Sequence, residues 1–202
     1  NGSSRKLDLK PATAKNGKQT LTGKIEAWGE VGLAVKTYDY MDNTTNIYGV
    51  KDITLRLDSQ VIYHSNLDRF AFDETRYLNS FVDYEEWKDR RSFYMRSFVE
   101  PGNRLRFSES INRGIIHIEE EKTYHLTYTL ADAFGNTTSL SVWIEGKEQE
   151  IPQIETEGTE LFHWMADNRF GAKGIRMAIP KGNLYDDLYF RYSVKEDSTA
   201  LA

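Results

Sequence analysis

The sequence contains no cysteine, and only four prolines and four histidines among its 202 residues. Without cysteine the chain can hold no disulfide, no thiol nucleophile and no thiolate zinc site. That absence does not assign a compartment, since many exported bacterial proteins carry no disulfide. No apolar run approaches the roughly 20 residues that a membrane-spanning helix requires. No basic-then-apolar leader opens the chain either. A basic surplus is also missing: 26 Lys and Arg face 31 Asp and Glu, for a net charge of -5. A nucleic-acid binder needs a basic face to neutralise phosphates, so this balance argues against that class of partner and gives no attraction to anionic lipid.

What is present suffices for a packed core: 39% of residues are hydrophobic and 28% charged. The start, Asn1-Gly2-Ser3-Ser4, reads as a cut end, so the chain is expected to be an internal piece of a longer protein. Residues 1–18 read as a linker or leading segment, with Lys6, Lys10, Lys15 and Lys18.

The strongest signal is period-two alternation, the mark of half-buried strands. A first strand is expected over Gln19–Ala27. In Gly32–Tyr38, Leu33, Val35 and Thr37 point one way and Ala34, Lys36 and Tyr38 the other. A polar turn over Asp39–Asn46 follows. Ile53, Leu55 and Leu57 then alternate with Thr54, Arg56 and Asp58, and Val61 and Tyr63 carry the pattern on. Gly114–Ile118 is a short apolar run. The cleanest strand is Thr123–Leu130, with Tyr124, Leu126, Tyr128 and Leu130 on one face. The turn Asp132-Ala133-Phe134-Gly135-Asn136 sends it into a return strand bearing Thr138, Leu140, Val142 and Ile144. Between the strands, Asp83 is placed to cap a helix, with Glu85 and Glu86 in its first turn. Trp87, Arg91, Tyr94, Met95 and Phe98 fall at helical spacing beyond it.

These patterns predict a mainly β fold: an immunoglobulin-like antiparallel β-sandwich over 19–150, with a short helical insert near 73–98. Gly146–Pro152 reads as a boundary. Residues 151–202 read as the start of a second small β-domain, with strands near Leu161–Trp164, Gly174–Ile179 and Leu188–Val194.

Several groups could carry chemistry. His64 and Asp68 have the four-residue separation of a zinc pair, but a catalytic zinc takes three protein ligands and a third is missing. A polar loop after a strand explains the pair better. His117 beside Glu119, Glu120 and Glu121 reads as a solvated strand end. His125 sits among threonines on an outer sheet face. No Gly-x-Ser-x-Gly or phosphate loop is present. A stand-alone hydrolase using scattered carboxylates such as Asp186 and Asp187 is conceivable only if two of them face each other in a cleft. Thus no catalytic, metal or cofactor residue is assigned. Tyr77, Phe81, Tyr84, Trp87, Phe93 and Tyr94 crowd the insert. Burial as a lid over the core is the preferred reading. If exposed, Tyr84, Trp87 and Tyr94 would form a ligand-binding, sugar-stacking patch.

Several spaced pieces carry a resemblance. They are Leu33-Ala34-Val35-Lys36-Thr37-Tyr38-Asp39, Asn46-Ile47-Tyr48-Gly49-Val50, Ser97-Phe98-Val99-Glu100-Pro101-Gly102-Asn103, Asn112-Arg113-Gly114-Ile115-Ile116, Asp132-Ala133-Phe134-Gly135-Asn136 and Ala178-Ile179-Pro180-Lys181-Gly182-Asn183-Leu184-Tyr185-Asp186-Asp187. In this order they resemble the region after the catalytic domain of exported lysostaphin-type zinc metallopeptidases of Bacteroides-like bacteria (peptidase family M twenty-three). The family's peptidase domain binds zinc through His-x-x-x-Asp and a later His-x-His and cuts peptide cross-bridges in peptidoglycan. That domain would lie before Asn1. His64 and Asp68 match the first spacing, but Asn66-Leu67 stands where the family has its glycine and no His-x-His follows, so no catalytic residue is carried over. The resemblance implies a non-catalytic accessory or scaffolding module of an exported cell-wall hydrolase, in the periplasm or cell envelope. Its partner would be the zinc-bearing catalytic domain of the same chain, with peptidoglycan or another glycan as a further partner. The alternative is a surface glycan-binding module using the insert aromatics.

Overall fold

Tyr124, Leu126, Tyr128 and Leu130 all point inward from one long strand, and the sandwich is assembled over that face. The computed structural model describes residues 6–13, 19–21, 25–40 and 47–194. In chain order the first strands are β1 (Ala12–Thr13), β2 (Gln19–Thr20), β3 (Ile25–Ala27), β4 (Gly29–Val31), β5 (Ala34–Val35), β6 (Asp39–Tyr40), β7 (Ile47–Tyr48), β8 (Asp52–Leu57) and β9 (Gln60–Asn66). After the helical insert come β10 (Met95–Arg96), β11 (Ser108–Ser110), β12 (Ile116–Ile118), β13 (Thr123–Ala131) and β14 (Thr137–Gly146). The C-terminal unit holds β15 (Glu160–Phe162), β16 (Asn168–Ala172), β17 (Ile175–Ile179) and β18 (Leu188–Phe190).

The main sheet runs β1-β2-β14-β13-β8-β9-β11, and β3 also pairs with β14. Its ladders are antiparallel except those of β14 with β2 and β3, which are parallel. A second layer consists of two short ladders, β4 with β12 and β5 with β10. Val35, Met95, Ile116 and Ile118 from this layer close over Ile53, Leu55, Leu126, Tyr128, Val142 and Ile144 of the main sheet. The fold is therefore mainly β, a two-layer sandwich whose inner faces interdigitate as one core.

Local chemistry fixes the turns. Between β13 and β14, Asp132 Oδ1 accepts the backbone N–H groups of Phe134 and Asn136 at 2.8 and 2.9 Å. Gly135 supplies the positive φ of 88° that this loop needs. Gly114 also has a positive φ, 76°, and its α-carbon lies against the Ser97 carbonyl, leaving no room for a side chain.

The alternating stretches differ from expectation in instructive ways. Leu33 and Val35 do face inward and Ala34 and Lys36 outward, but of Gly32–Tyr38 only β5 is strand, and β4 and β6 on either side of it each pair with a different partner. The Gln19–Ala27 strand is likewise split into β2 and β3, with residues 22–24 outside the described residues. Asp39-Tyr40, expected in a turn, pairs with Ile47-Tyr48, while 41–46 lie outside the described residues. In the β8–β9 ladder the register slips between Leu55 and Arg56 of β8: Leu55 faces Tyr63 while Arg56 faces Val61. Ile62 is the extra residue of a bulge. Ile62 and Tyr63 are therefore both buried, and Val61 is 38% exposed rather than continuing the inward pattern.

The insert begins with a 3-10 turn (Phe72–Tyr77), then α1 (Leu78–Phe81) and α2 (Tyr84–Arg90). Asp83 caps α2 as its position predicts, accepting the Glu86 N–H at 3.3 Å. The helical spacing through Phe98 does not hold. Arg91 turns left-handed (φ 53°) and ends the helix, so Met95 enters a strand instead. A helix of seven residues has little stability of its own.

The C-terminal unit pairs β15 with β18 and β16 with β17. Expectation had three strands there; β16 is the fourth. Its core is aromatic. Phe162 is buried and stacks on Phe190 at 5.1 Å, and Phe170 meets the same ring edge-on. The unit is seated on the sandwich. The Gly102 N–H donates to the Tyr185 carbonyl at 2.6 Å. Arg76 donates to Asn183 Oδ1 at 3.1 Å and to the Gly182 carbonyl at 3.2 Å, and the Tyr185 hydroxyl donates back to the Arg76 carbonyl.

Candidate functional site

The insert presents aromatic rings to solvent because α2 is short and touches the sandwich with only part of its surface. Phe81 alone of the six insert aromatics is fully buried; Tyr84 is 50% and Phe93 48% exposed. Tyr77, Trp87 and Tyr94 are half-buried. The expected buried lid is thus corrected: the cluster is partly an open face. Trp87 lies between Tyr84, 5.7 Å away at 37°, and Phe93, 6.2 Å away at 55°. The Arg91 guanidinium sits 5.0 Å from the Trp87 ring centre, a cation–π distance that the left-handed turn makes possible. Tyr94 turns elsewhere. Its hydroxyl donates to Asp8 at 2.8 Å, and burial together with that carboxylate pushes its pKa up to about 12. Lys36 lies 5.5 and 5.7 Å from the Tyr38 and Tyr94 rings and donates to Ser92 Oγ. Lys6, in the leading segment, bridges Asp83 and Glu85 at 3.1 and 2.7 Å. Of the three expected binding aromatics, Tyr84 and Trp87 share one face and Tyr94 belongs to its border.

The histidines are each occupied separately. His64 Nε2 meets Asp52 at 2.8 Å, whereas Asp68 pairs with Lys51 at 3.0 Å, so the four-residue spacing does not bring their donors to a common centre. His117 faces Glu30 across β4, at 4.0 Å. His125 stacks on Trp143 at 3.9 Å on the outer face of the main sheet. His163 Nδ1 meets Asp187 at 2.5 Å, and the Trp164 N–H donates to the same oxygen. Desolvation works against the Asp187 carboxylate, but the Trp164 amide and His163 outweigh it and hold its pKa below the usual value. Among the described residues, no three His, Asp or Glu side chains stand together as metal ligands. No helix among them is long and apolar enough to cross a membrane.

Sequence reasoning missed Glu74. Its carboxylate accepts Arg106 Nε at 2.8 Å, the Arg106 N–H at 3.1 Å and the Ala71 N–H at 2.7 Å. These bonds, that to the guanidinium first, lower its pKa to about 2. The only sequence trace is a Glu three residues after Ala71, the residue that precedes the 3-10 turn, without the Ser or Thr that completes a capping box.

Residues 159–202 match the Zu5-like domain. The matched stretch takes in β15 to β18, so the C-terminal unit is what is similar to that domain. No curated protein and no solved structure matches the chain.

Proposed function

We propose that this chain is a non-catalytic accessory module of an exported peptidoglycan metallopeptidase, acting in the periplasm or cell envelope. It holds the zinc-bearing catalytic domain of the same chain at a fixed distance and orientation on the wall. The observation that supports this reading is the junction between the sandwich and the C-terminal unit. Gly102, Arg76 and Tyr77 grip the 182–185 turn through backbone and side-chain bonds and an edge-on Tyr77–Tyr185 contact at 6.3 Å. Two β units joined by these directional bonds keep a preferred relative orientation, which is what positioning requires. The resemblance supplies the link to a cell-wall hydrolase. The test is a zymogram of the chain on purified sacculi beside the same chain joined to its natural upstream segment. Clearing confined to the longer protein fits; metal-dependent clearing by this chain alone overturns the reading.

A second reading, a surface glycan-binding module, draws on the exposure of Tyr84 and Phe93 on either side of Trp87. Quenching of tryptophan fluorescence by N-acetylglucosamine oligomers, abolished in Trp87→Phe, is its expected signature. Oligomers that leave the fluorescence unchanged remove it.

A further inference from the structure

The carboxylates that open α2 are engaged by cations: Lys6 holds Asp83 and Glu85 at 3.1 and 2.7 Å, and Arg90 holds Glu86 at 3.1 Å. Arg91 stands outside that pattern. Among the described residues its guanidinium forms no ion pair and no hydrogen bond, and what fixes it is the Trp87 ring, 5.0 Å away. Asp89, the remaining acid of α2, follows Trp87 by two residues. Two residues turn an α-helix by about 200°, so Asp89 leaves the helix on another side.

Stacking on an aromatic ring uses the flat face of a guanidinium and leaves its N–H donors at the edge of the group. A carboxylate can meet two of those donors in parallel, which gives strength and a fixed orientation. The ring holds the side chain before any ligand arrives, so less freedom is lost on binding. Tyr84 and Phe93 stand against the same indole, 5.7 and 6.2 Å from it, and are 50% and 48% exposed. Unspent donors for an anion and exposed ring surface for a sugar thus gather around one side chain, Trp87.

We propose that this face binds a carboxylated sugar, with the pyranose ring against Tyr84 or Phe93 and the carboxylate on the outward edge of the Arg91 guanidinium. The proposal rests on the glycan-binding reading above and gives it a substrate class, uronate-type glycans ahead of neutral ones. The net charge of -5 works against long-range attraction of an acidic oligomer. A preference for such an oligomer must therefore come from a local cation.

The whole chain is titrated at low salt with chitotetraose, which is neutral, and with a hyaluronan tetrasaccharide, in which glucuronate alternates with N-acetylglucosamine. Tryptophan fluorescence reports binding, with Trp87→Phe as the blank. Both oligomers are expected to quench, and the acidic one binds about tenfold more tightly, the size of one charge-assisted hydrogen bond. Arg91→Gln removes that preference, whereas Arg90→Gln, which loses a side chain held on Glu86, keeps it. In the parent chain the preference shrinks in about 0.5 M sodium chloride, which screens an exposed ion pair and needs no variant. Equal affinity for the two oligomers, a preference that survives Arg91→Gln, or one that salt leaves unchanged overturns the proposal while the glycan reading stands. Quenching by neither oligomer defeats both.

Discussion

The Tyr128 hydroxyl donates to Ser97 Oγ at 2.9 Å inside the core, tying β13 of the main sheet to the segment that follows β10 in the second layer. Both groups are buried, so neither finds water if the other is removed. Tyr128→Phe leaves Ser97 Oγ without its donor and is expected to cost about 1–3 kcal/mol, read from urea unfolding. The double variant with Ser97→Ala costs less than the sum of the two single changes, because both remove the same bond. A strictly additive result contradicts this account.

Tyr63 gives the alkaline limit. Burial pushes its pKa from 10.0 to about 12, against the weaker effect of Ser65 and Ser108. The fold keeps this phenol neutral, so its contribution is complete below pH 10 and fades as pH rises toward about 12, where the folded form ionises too. Unfolding midpoints between pH 9 and pH 12 are expected to fall in the parent, and to fall less in Tyr63→Phe.

Glu74 sets the opposite, acid limit. Its pKa drops from 4.5 to about 2, first through Arg106 and then through backbone N–H groups. A lowered carboxylate contributes stability above pH 4.5 that is lost as pH falls through about 2. Glu74→Gln is expected to be less stable than the parent at pH 7 and to flatten the acid limb of its pH–stability curve. Parallel curves for the two proteins are the outcome that contradicts it.

Gly102 is the tight point of the junction. A side chain there would overlap the Leu184 carbonyl and the Tyr185 backbone. Gly102→Ala is expected to loosen the C-terminal unit from the sandwich at a cost of about 1–3 kcal/mol. A glutamate-specific protease then cuts the exposed 147–158 segment, which carries Glu148, Glu150, Glu155 and Glu157, several-fold faster, while the sandwich unfolds at its original urea midpoint. A shift in the sandwich midpoint alone points to a different role for the glycine.

Trp87 separates recognition from stability. Its partners Tyr84, Phe93 and Arg91 are themselves exposed. Trp87→Ala is therefore expected to change stability by no more than about 1 kcal/mol, while abolishing any glycan-dependent fluorescence change. A loss of several kcal/mol would place the ring in the core.

The β13–β14 hairpin, β8, the Asp83 cap and the Asp132 turn were legible because each is specified by neighbouring residues: alternation, a capping carboxylate, a glycine with positive φ. What escaped depends on distant partners. β10 and β11 have two and three residues and become strands only by pairing with β5 and β9. The Ile62 bulge follows from a slip against β8 that no alternation rule within β9 reveals. The helix stop at Arg91 carries neither Gly nor Asn, the residues that usually mark a left-handed position. For the same reason His64 could be matched to Asp68, four residues away in sequence, but not to Asp52, which the β8–β9 hairpin brings to its ring.

The parallel pairing of β3 with β14 has a mechanical consequence. The preceding chain joins β14 at β2 and continues along it as β3, both parallel to it, and the chain toward the C-terminal unit departs from the end of β14. Tension between those two points slides the strands along each other, so the ladder and the Glu26–Lys147 bridge share the load at once instead of parting one link at a time. A β unit pulled from those two points is strongest in that direction.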